Sequence, residues 1–436
     1  MSQEADVVTR RDFLRTSVLG AALTWTVPLF IERTFSALDA EAAESSLPVA
    51  TGKDHPILVV LQLAGGNDGL NAVVPYVDDA YYRARQTIGI GKDKVVNLNG
   101  HIGFNPALAP FKILYDEGHL ALLQGVGYPN PNRSHFRSSE IWQTASEPNK
   151  IVRTGWLGRY FDNCCSGEGA TVGVALGGQL PQAFTSDNST GITLSPGSRL
   201  GFAKETDASE QAVFNQLNGI DHDTVSGASI GELSGPSSSG MTAIEYLQRT
   251  ALDAQIGTDK IAEILRRMKP EAIYPKTQLA NSLSLISRLI SGGLPTRVYY
   301  ASQGGYDTHN AQENSHNRLL GELANAVSAF CQDLKSKGIF DQVMIITFSE
   351  FGRRVAENAS KGTDHGTAAP MFVFGGAIKP GIYGHPPSLE QLDAGDLIYN
   401  VDFRSVYATI LNRWLKALSP RCWDAILILW LLCRMI

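Results

Sequence analysis

The feature that most restricts how this chain can fold is a set of short apolar runs that do not alternate with polar residues. Ile57 to Leu63 reads ILVVLQL and stops at Ala64-Gly65-Gly66. A strand with one wet face would alternate with a period of two, so an unbroken run calls for a strand covered on both faces, as in a parallel sheet. Comparable runs are Leu120–Gln124, Val298–Ala301, Val343–Phe348 and Met371–Phe374. Between them lie segments of helical period. In HNRLLGELANAVSAFCQDLKSKG, one stripe carries Leu319, Leu323, Val327, Phe330 and Leu334, and Gly338 supplies the stop after Lys335 and Lys337. AIEYLQRTALDAQIGTDKIAEILRRMKP and FRSVYATILNRWLKAL behave likewise. Strands alternating with helices predict an α/β fold, with a mostly parallel central sheet and helices on both faces.

At 436 residues and a formal net charge of −6, with no Lys/Arg-rich block after the first forty residues, nucleic acid is excluded as an expected partner. The five cysteines form no C-x-x-C pair, and Cys164-Cys165 is read as structural. Thr9-Arg10-Arg11-Asp12-Phe13-Leu14, followed by TSVLGAALTWTVPLFI and small residues, reads as a twin-arginine signal peptide over residues 1–42. The apolar run is too short to span a bilayer. Export to the periplasm or beyond is expected, with the translocase as a transient partner. A linker follows at 43–55, then one domain at 56–418 with a loop and helical insertion near 201–295. An apolar tail at 419–436 is the only other segment with a claim on a membrane.

In open α/β sheets, ligands bind beyond the carboxyl ends of the strands. Polar clusters stand at four such places: Asn67-Asp68-Gly69, Ser134-His135, Asp307-Thr308-His309, and Ser349-Glu350 with His365 before the next strand. Carboxylates and imidazoles delivered by several loops suit a divalent ion, with zinc, manganese, magnesium and calcium all open. Asp307, His309 and His365 are the expected set, and Asp68 and Glu350 would hold a second, harder cation. Competing with that reading, Asp68 suits a tight turn, Asp307 a helix cap, and Glu350 a salt bridge with Arg353 or Arg354. Neither G-x-G-x-x-G nor a Walker pattern occurs.

The segments LQLAGGNDGLNAVVPY, NRSHFRSSEIWQTA, GGYDTHNAQ, TFSEFGRRVAENASKGTDHG and VDFRSVYATILNRWL resemble a bacterial family of twin-arginine-exported proteins, the domain of unknown function fifteen-hundred-and-one. That family is similar to the alkaline phosphatase and sulfatase superfamily. The resemblance implies an alkaline-phosphatase-like fold and a metal-dependent hydrolase of phosphate- or sulfate-type esters, acting on an anionic ester. It also implies a nucleophile at a helix start, for which Ser134 is the local match, with His135 beside it and Arg133 or Arg137 to bind an oxyanion. Asp68-Gly69 resembles the superfamily's first metal aspartate. Ser349-Glu350-Phe351-Gly352 looks like its Ser-Asp-His-Gly, with Phe in the place of a ligand; Asp364-His365-Gly366 matches the same letters after a loop. No C-x-P-x-R stretch supports formylglycine chemistry. Phe351 keeps a second expectation alive, a secreted binding or structural protein with a reduced metal site.

Overall fold

The computed structural model describes residues 55–165, 170–187, 191–194, 257 and 260–417. The expected signal peptide, most of the predicted insertion and the expected C-terminal tail lie outside the described residues.

The unbroken apolar runs become the strands of a nine-stranded sheet. Its members are β1 (Ile57–Leu63), β2 (Leu120–Gly127), β3 (Gly173–Leu176), β4 (Ile192–Leu194), β5 (Val298–Gln303), β6 (Val343–Phe348), β7 (Ala369–Gly375), β8 (Gly381–Tyr383) and β9 (Val401–Asp402). The order is β8-β2-β7-β6-β1-β5-β3-β4, with β9 continuing the edge along β2. Strand β1 sits in the middle, with Val60 opposite Tyr300 of β5 and Ile346 of β6, both parallel. Only β7 runs against its neighbours. The carboxyl ends of the other strands therefore gather at one rim, and the amino end of β7 joins them there.

Among the described residues, helices that cover the two faces include α1 (Ala109–Asp116), α2 (His135–Thr144), α3 (Trp156–Cys164), α4 (Gln278–Ser291), α5 (Gln312–Ser336) and α6 (Phe403–Thr409). Alternate residues of β1 divide between them. Ile57, Val59, Leu61 and Leu63 pack with α1, α4 and α5. Leu58 and Val60 pack with α2, α3 and α6. Each such side chain contributes about 1.5–3 kcal/mol through the apolar area it removes from water. Trp142 stacks on Phe403 at 4.2 Å and Trp156 on Tyr407 at 4.0 Å, so the tryptophans serve as core. Helix α4 falls inside the segment predicted as an insertion, yet it lies on the sheet as one of the covering helices.

The stripe Leu319, Leu323, Val327, Phe330 and Leu334 is buried as its spacing requires. Helix α5 begins at Gln312, about two turns before the apolar stripe, because Ala311 takes a left-handed φ of 43° and the first N–H groups bond to a distant loop. Ala311 and Gln312 donate to the carbonyls of Ser360 and Lys361 at 3.0 and 2.9 Å. Helix start and site loop are thereby fixed together. Among the described residues, no helix is long and apolar enough to cross a membrane.

Candidate functional site

Three loops and one helix meet at the rim. The β1 loop turns through Gly65 (φ 119°) and Gly66 (φ 78°), values that an L side chain rarely adopts. Bare Cα atoms are needed there for space as well: a Cβ on Gly65 would lie 2.5 Å from the Asp307 amide nitrogen, and one on Gly66 would lie 2.4 Å from the Phe351 ring. The loop from β6 to β7 folds back on itself, with Arg353 and His365 as antiparallel bridge partners. Residues twelve apart in sequence thus sit side by side. Helix α2 brings His135 in its first turn.

Asp307 is the centre of the cluster. Its Oδ1 lies 3.0 Å from His309 Nε2 and 3.1 Å from His365 Nε2, and its Oδ2 lies 3.4 Å from His135 Nε2. The three rings are held from behind. His135 Nδ1 faces Glu350 Oε1 at 2.9 Å, His309 Nδ1 faces Asp364 Oδ1 at 3.2 Å, and His365 Nδ1 faces the Arg133 carbonyl at 2.8 Å. A carbonyl or a carboxylate only accepts, so each Nδ1 carries the proton and each Nε2 is turned inward. His309 Nε2 and His365 Nε2 are 2.9 Å apart.

The charges are matched in the same way. Arg353 donates to Asp307 Oδ1 at 2.7 Å. Burial alone would raise the Asp307 carboxyl, but hydrogen bonds from Arg353 and His365, with the guanidinium charge, bring it down to about 2. A hydrogen bond from the Asn358 side chain holds Asp364 low, with His309 adding to it. Glu350 Oε1 also accepts from the Gly65 N–H at 2.8 Å, while its Oε2 is buried with no hydrogen-bond partner.

Five of the predicted residues come together: His135, Asp307, His309 and His365 form the cluster, and Glu350 stands behind His135. Asp68 does not join them. Fully buried, it pairs with Arg85 at 2.6 Å, takes a bond from Gln312, and caps the turn Gly69–Ala72 at Asn71 N. Its carboxylate is lowered by the Arg85 charge against the opposing effect of burial. Arg137 is turned to Glu140 at 2.7 Å and to the carbonyls of Pro148 and Lys150 at 2.9 and 2.6 Å, which ties down the loop after α2. Ser134 is the exposed cap residue of α2 and makes no side-chain capping bond. Glu350 pairs with neither Arg353 nor Arg354; Arg354 Nε lies 3.6 Å from Asp396, which also takes Arg133.

Phe351 replaces a ligand by letter but has its own place. It is buried, with its ring centroid 4.9 Å from His135 and 4.6 Å from His365, so it packs the two imidazoles from one side. Arg353 and Asp364 were the residues hardest to pick from sequence. The signal available for Asp364 was its place beside His365 in the second Asp-His-Gly match.

A family profile described as "Protein of unknown function (DUF1501)" matches residues 56–415, and the chain belongs to that family. No curated protein matches it. Solved structures that it resembles include the C-terminal periplasmic domain of EcEptC from Escherichia coli in complex with Zn, at 10% identity and a TM-score of 0.35, covering 76% of this chain and 77% of that one. An alkaline phosphatase from the Antarctic bacterium TAB5 matches at 9% identity and a TM-score of 0.31, covering 74% and 92%. A protein in the alkaline phosphatase superfamily from Vibrio parahaemolyticus matches at 10% and 0.32, covering 81% and 70%.

Proposed function

We propose that this member of the family holds one divalent metal ion at His135, Asp307, His309 and His365, and hydrolyses a phosphate- or sulfate-type ester after export. One observation carries the reading: three imidazole Nε2 atoms, each with its Nδ1 already committed, converge on a single carboxylate. His135, Asp307 and His365 offer ligand atoms that all lie within 4.8 Å of one another; His309 Nε2 adjoins them, 3.0 Å from Asp307 Oδ1 and 2.9 Å from His365 Nε2, against the ~3.3 Å between donors around a four-coordinate, zinc-sized ion. Three carboxylates (Asp307, Glu350, Asp364) stand around the rings, with Arg353 paired to Asp307 and the Arg354 charge also acting on Asp364, so carboxylates outnumber guanidinium groups there, which suits a cation. The unpartnered Oε2 of Glu350 adds a buried acceptor beside the same cluster.

When bound, such an ion would polarise the ester oxygen and activate an attacking hydroxyl or water. The chain's own residues supply the rest. Glu350, Asp364 and the Arg133 carbonyl hold the rings in the tautomer that ligates, and Phe351 closes one side against water. Ser134 heads α2 next to His135 and is the nucleophile that the family resemblance favours. Arg137 is spent on the α2 loop; Arg133 is paired with Asp396 but its side chain stays 39% exposed, and it is the cation proposed for the anionic oxygens. The Arg-Arg segment near the amino terminus supports twin-arginine export to the periplasm or beyond.

Metal analysis of the mature protein, beside the His309→Ala and His365→Ala variants, tests this. One equivalent of divalent ion in the wild type, lost from both variants together with turnover of an ester panel, is the expected result. No stoichiometric ion, and no change in either variant, would remove the enzyme reading. A second reading is favoured by the closure of Asp68 and by Phe351, which leave no complete second site: a binding protein that keeps the ion without turnover. Metal retained with no ester cleaved would select it.

A further inference from the structure

We infer that Arg353 is the positioning residue that assembles the pocket before any metal arrives. The inference rests on the metal reading above. Its side chain is fully buried and its guanidinium reaches three of the loops at the site, though not the segment before α2 that carries the Arg133 carbonyl. Nε donates to the Gly66 carbonyl at 2.7 Å, and Nη1 to the Thr363 carbonyl at 2.8 Å. Nη2 donates to the carbonyls of Gly65 and of Tyr306, the latter at 3.0 Å, and to Asp307 Oδ1 at 2.7 Å. The β1 loop, the β5 loop and the β6–β7 loop are thus fastened through one planar fork. Lysine has the charge but neither the plane nor the number of donors.

The position of Arg353 follows from its partner across the bridge, His365. One strand of the bridge carries the staple and the other carries a ligand, so both are set by a single backbone pairing. Arg353 also completes a pattern. Glu350 supports His135, Asp364 supports His309, the Arg133 carbonyl supports His365, and Arg353 supports Asp307. By donating to Oδ1, it fixes the plane of the carboxylate and uses one of the lone pairs on that oxygen. Nη1 also lies 3.4 Å from His309 Nε2. Arg353 therefore acts on the metal through Asp307, not as a ligand.

The test is zinc affinity of chelator-stripped protein, read by competition with a chromophoric chelator, for wild type, Arg353→Lys, Asp307→Asn and the double variant. Losing such a supporting partner typically weakens metal binding 10–100-fold. Arg353→Lys should fall in that range while keeping its circular dichroism, and it should cost little further in the Asp307→Asn background, because the route through the carboxylate is already gone. Wild-type affinity in Arg353→Lys, or a loss that simply adds to that of Asp307→Asn, overturns the inference. If wild type itself takes up no zinc, the metal reading fails. The staple is then judged from a second measurement, which also serves if Arg353→Lys does not fold. In metal-free wild type, the Arg353 Nε–H should give a slowly exchanging guanidinium NMR signal that zinc barely moves. A signal that sharpens only when zinc is added would show that the ion, and not Arg353, assembles the pocket.

Discussion

Two aspartates follow the carboxyl ends of neighbouring parallel strands, Asp68 after β1 and Asp307 after β5, and each meets a buried arginine. The pairs are alike in length, 2.6 Å to Arg85 and 2.7 Å to Arg353. They differ in what surrounds them. The Asp68 side chain is 0% exposed and that of Asp307 is 47% exposed. Arg85 is held by Asp68, Asn71 and the carbonyls of Arg354 and Val355, so that pair is a foundation under the β6–β7 loop. Asp307 keeps an open side, where three Nε2 atoms collect. An ion pair with all its neighbours inside the protein becomes structure, and the same pair with one side open becomes a place for a ligand.

The contrast can be broken most severely at the closed pair. Arg85→Met should lower unfolding stability by about 3–5 kcal/mol, because Asp68 is left as an uncompensated buried charge; urea unfolding in the presence of a chelator would show it. A loss below about 1 kcal/mol would mean that Asp68 is not closed off.

The next effect is in pH. Burial, with the Arg85 and Arg353 charges adding to it, pushes the His316 imidazole down to about 4, even though Asp68 pulls it upward, and its Nε2 lies 2.9 Å from Asn67 Oδ1 beneath the site. Unfolded, it titrates near 6.5, so between these values the unfolded chain binds the extra proton and stability falls as pH falls. The loss should approach about 3 kcal/mol from pH 6.5 to 4 and add nothing below that. His316→Gln should flatten that part of the stability profile, as followed by urea midpoints at each pH.

Metal removal comes third and belongs to the open pair alone. With zinc at a hundredfold excess over its dissociation constant, loading should add about 2.7 kcal/mol of stability. Chelator should reverse that shift in the wild type. Asp307→Ala should show no shift at all, and a full zinc-dependent shift in that variant would dissociate Asp307 from the ion. The smallest effect is expected from Asp307→Asn without metal, within about 1 kcal/mol of wild type, because asparagine keeps an acceptor oxygen and Arg353 retains the carbonyls of Gly65, Gly66, Tyr306 and Thr363. A large loss there would make the two aspartates equivalent after all.

Much of the frame is legible in the sequence. The runs at Ile57–Leu63 and Val343–Phe348 are strands with those same limits, and the stripe from Leu319 to Leu334 is buried. The rule that ligands collect past strand ends picks out Asp307, His309 and His365, whose side chains lie within 3.1 Å of one another. It picked out Asp68 with equal force, because turn-like Asn-Asp-Gly and metal-binding Asp-Gly have the same letters. His135 was read as part of a catalytic pair with Ser134, yet its ring belongs with the other imidazoles, since the first turn of α2 aims it at Asp307 Oδ2. Phe351 read as a missing ligand and is a packing surface for two of the rings.

Local sequence determined the strands, the helices and the short list of polar residues at the rim, because hydrophobic period and chain punctuation act over a few residues. Which aspartate is sealed and which is open was decided only by the tertiary structure. Arg85 lies 17 residues from Asp68, but Gln312 is 244 away, and Arg353 is 46 residues from Asp307. Burial and charge pairing depend on what other loops bring to a carboxylate once the sheet has gathered its strand ends. No stretch of the chain read by itself contains that information.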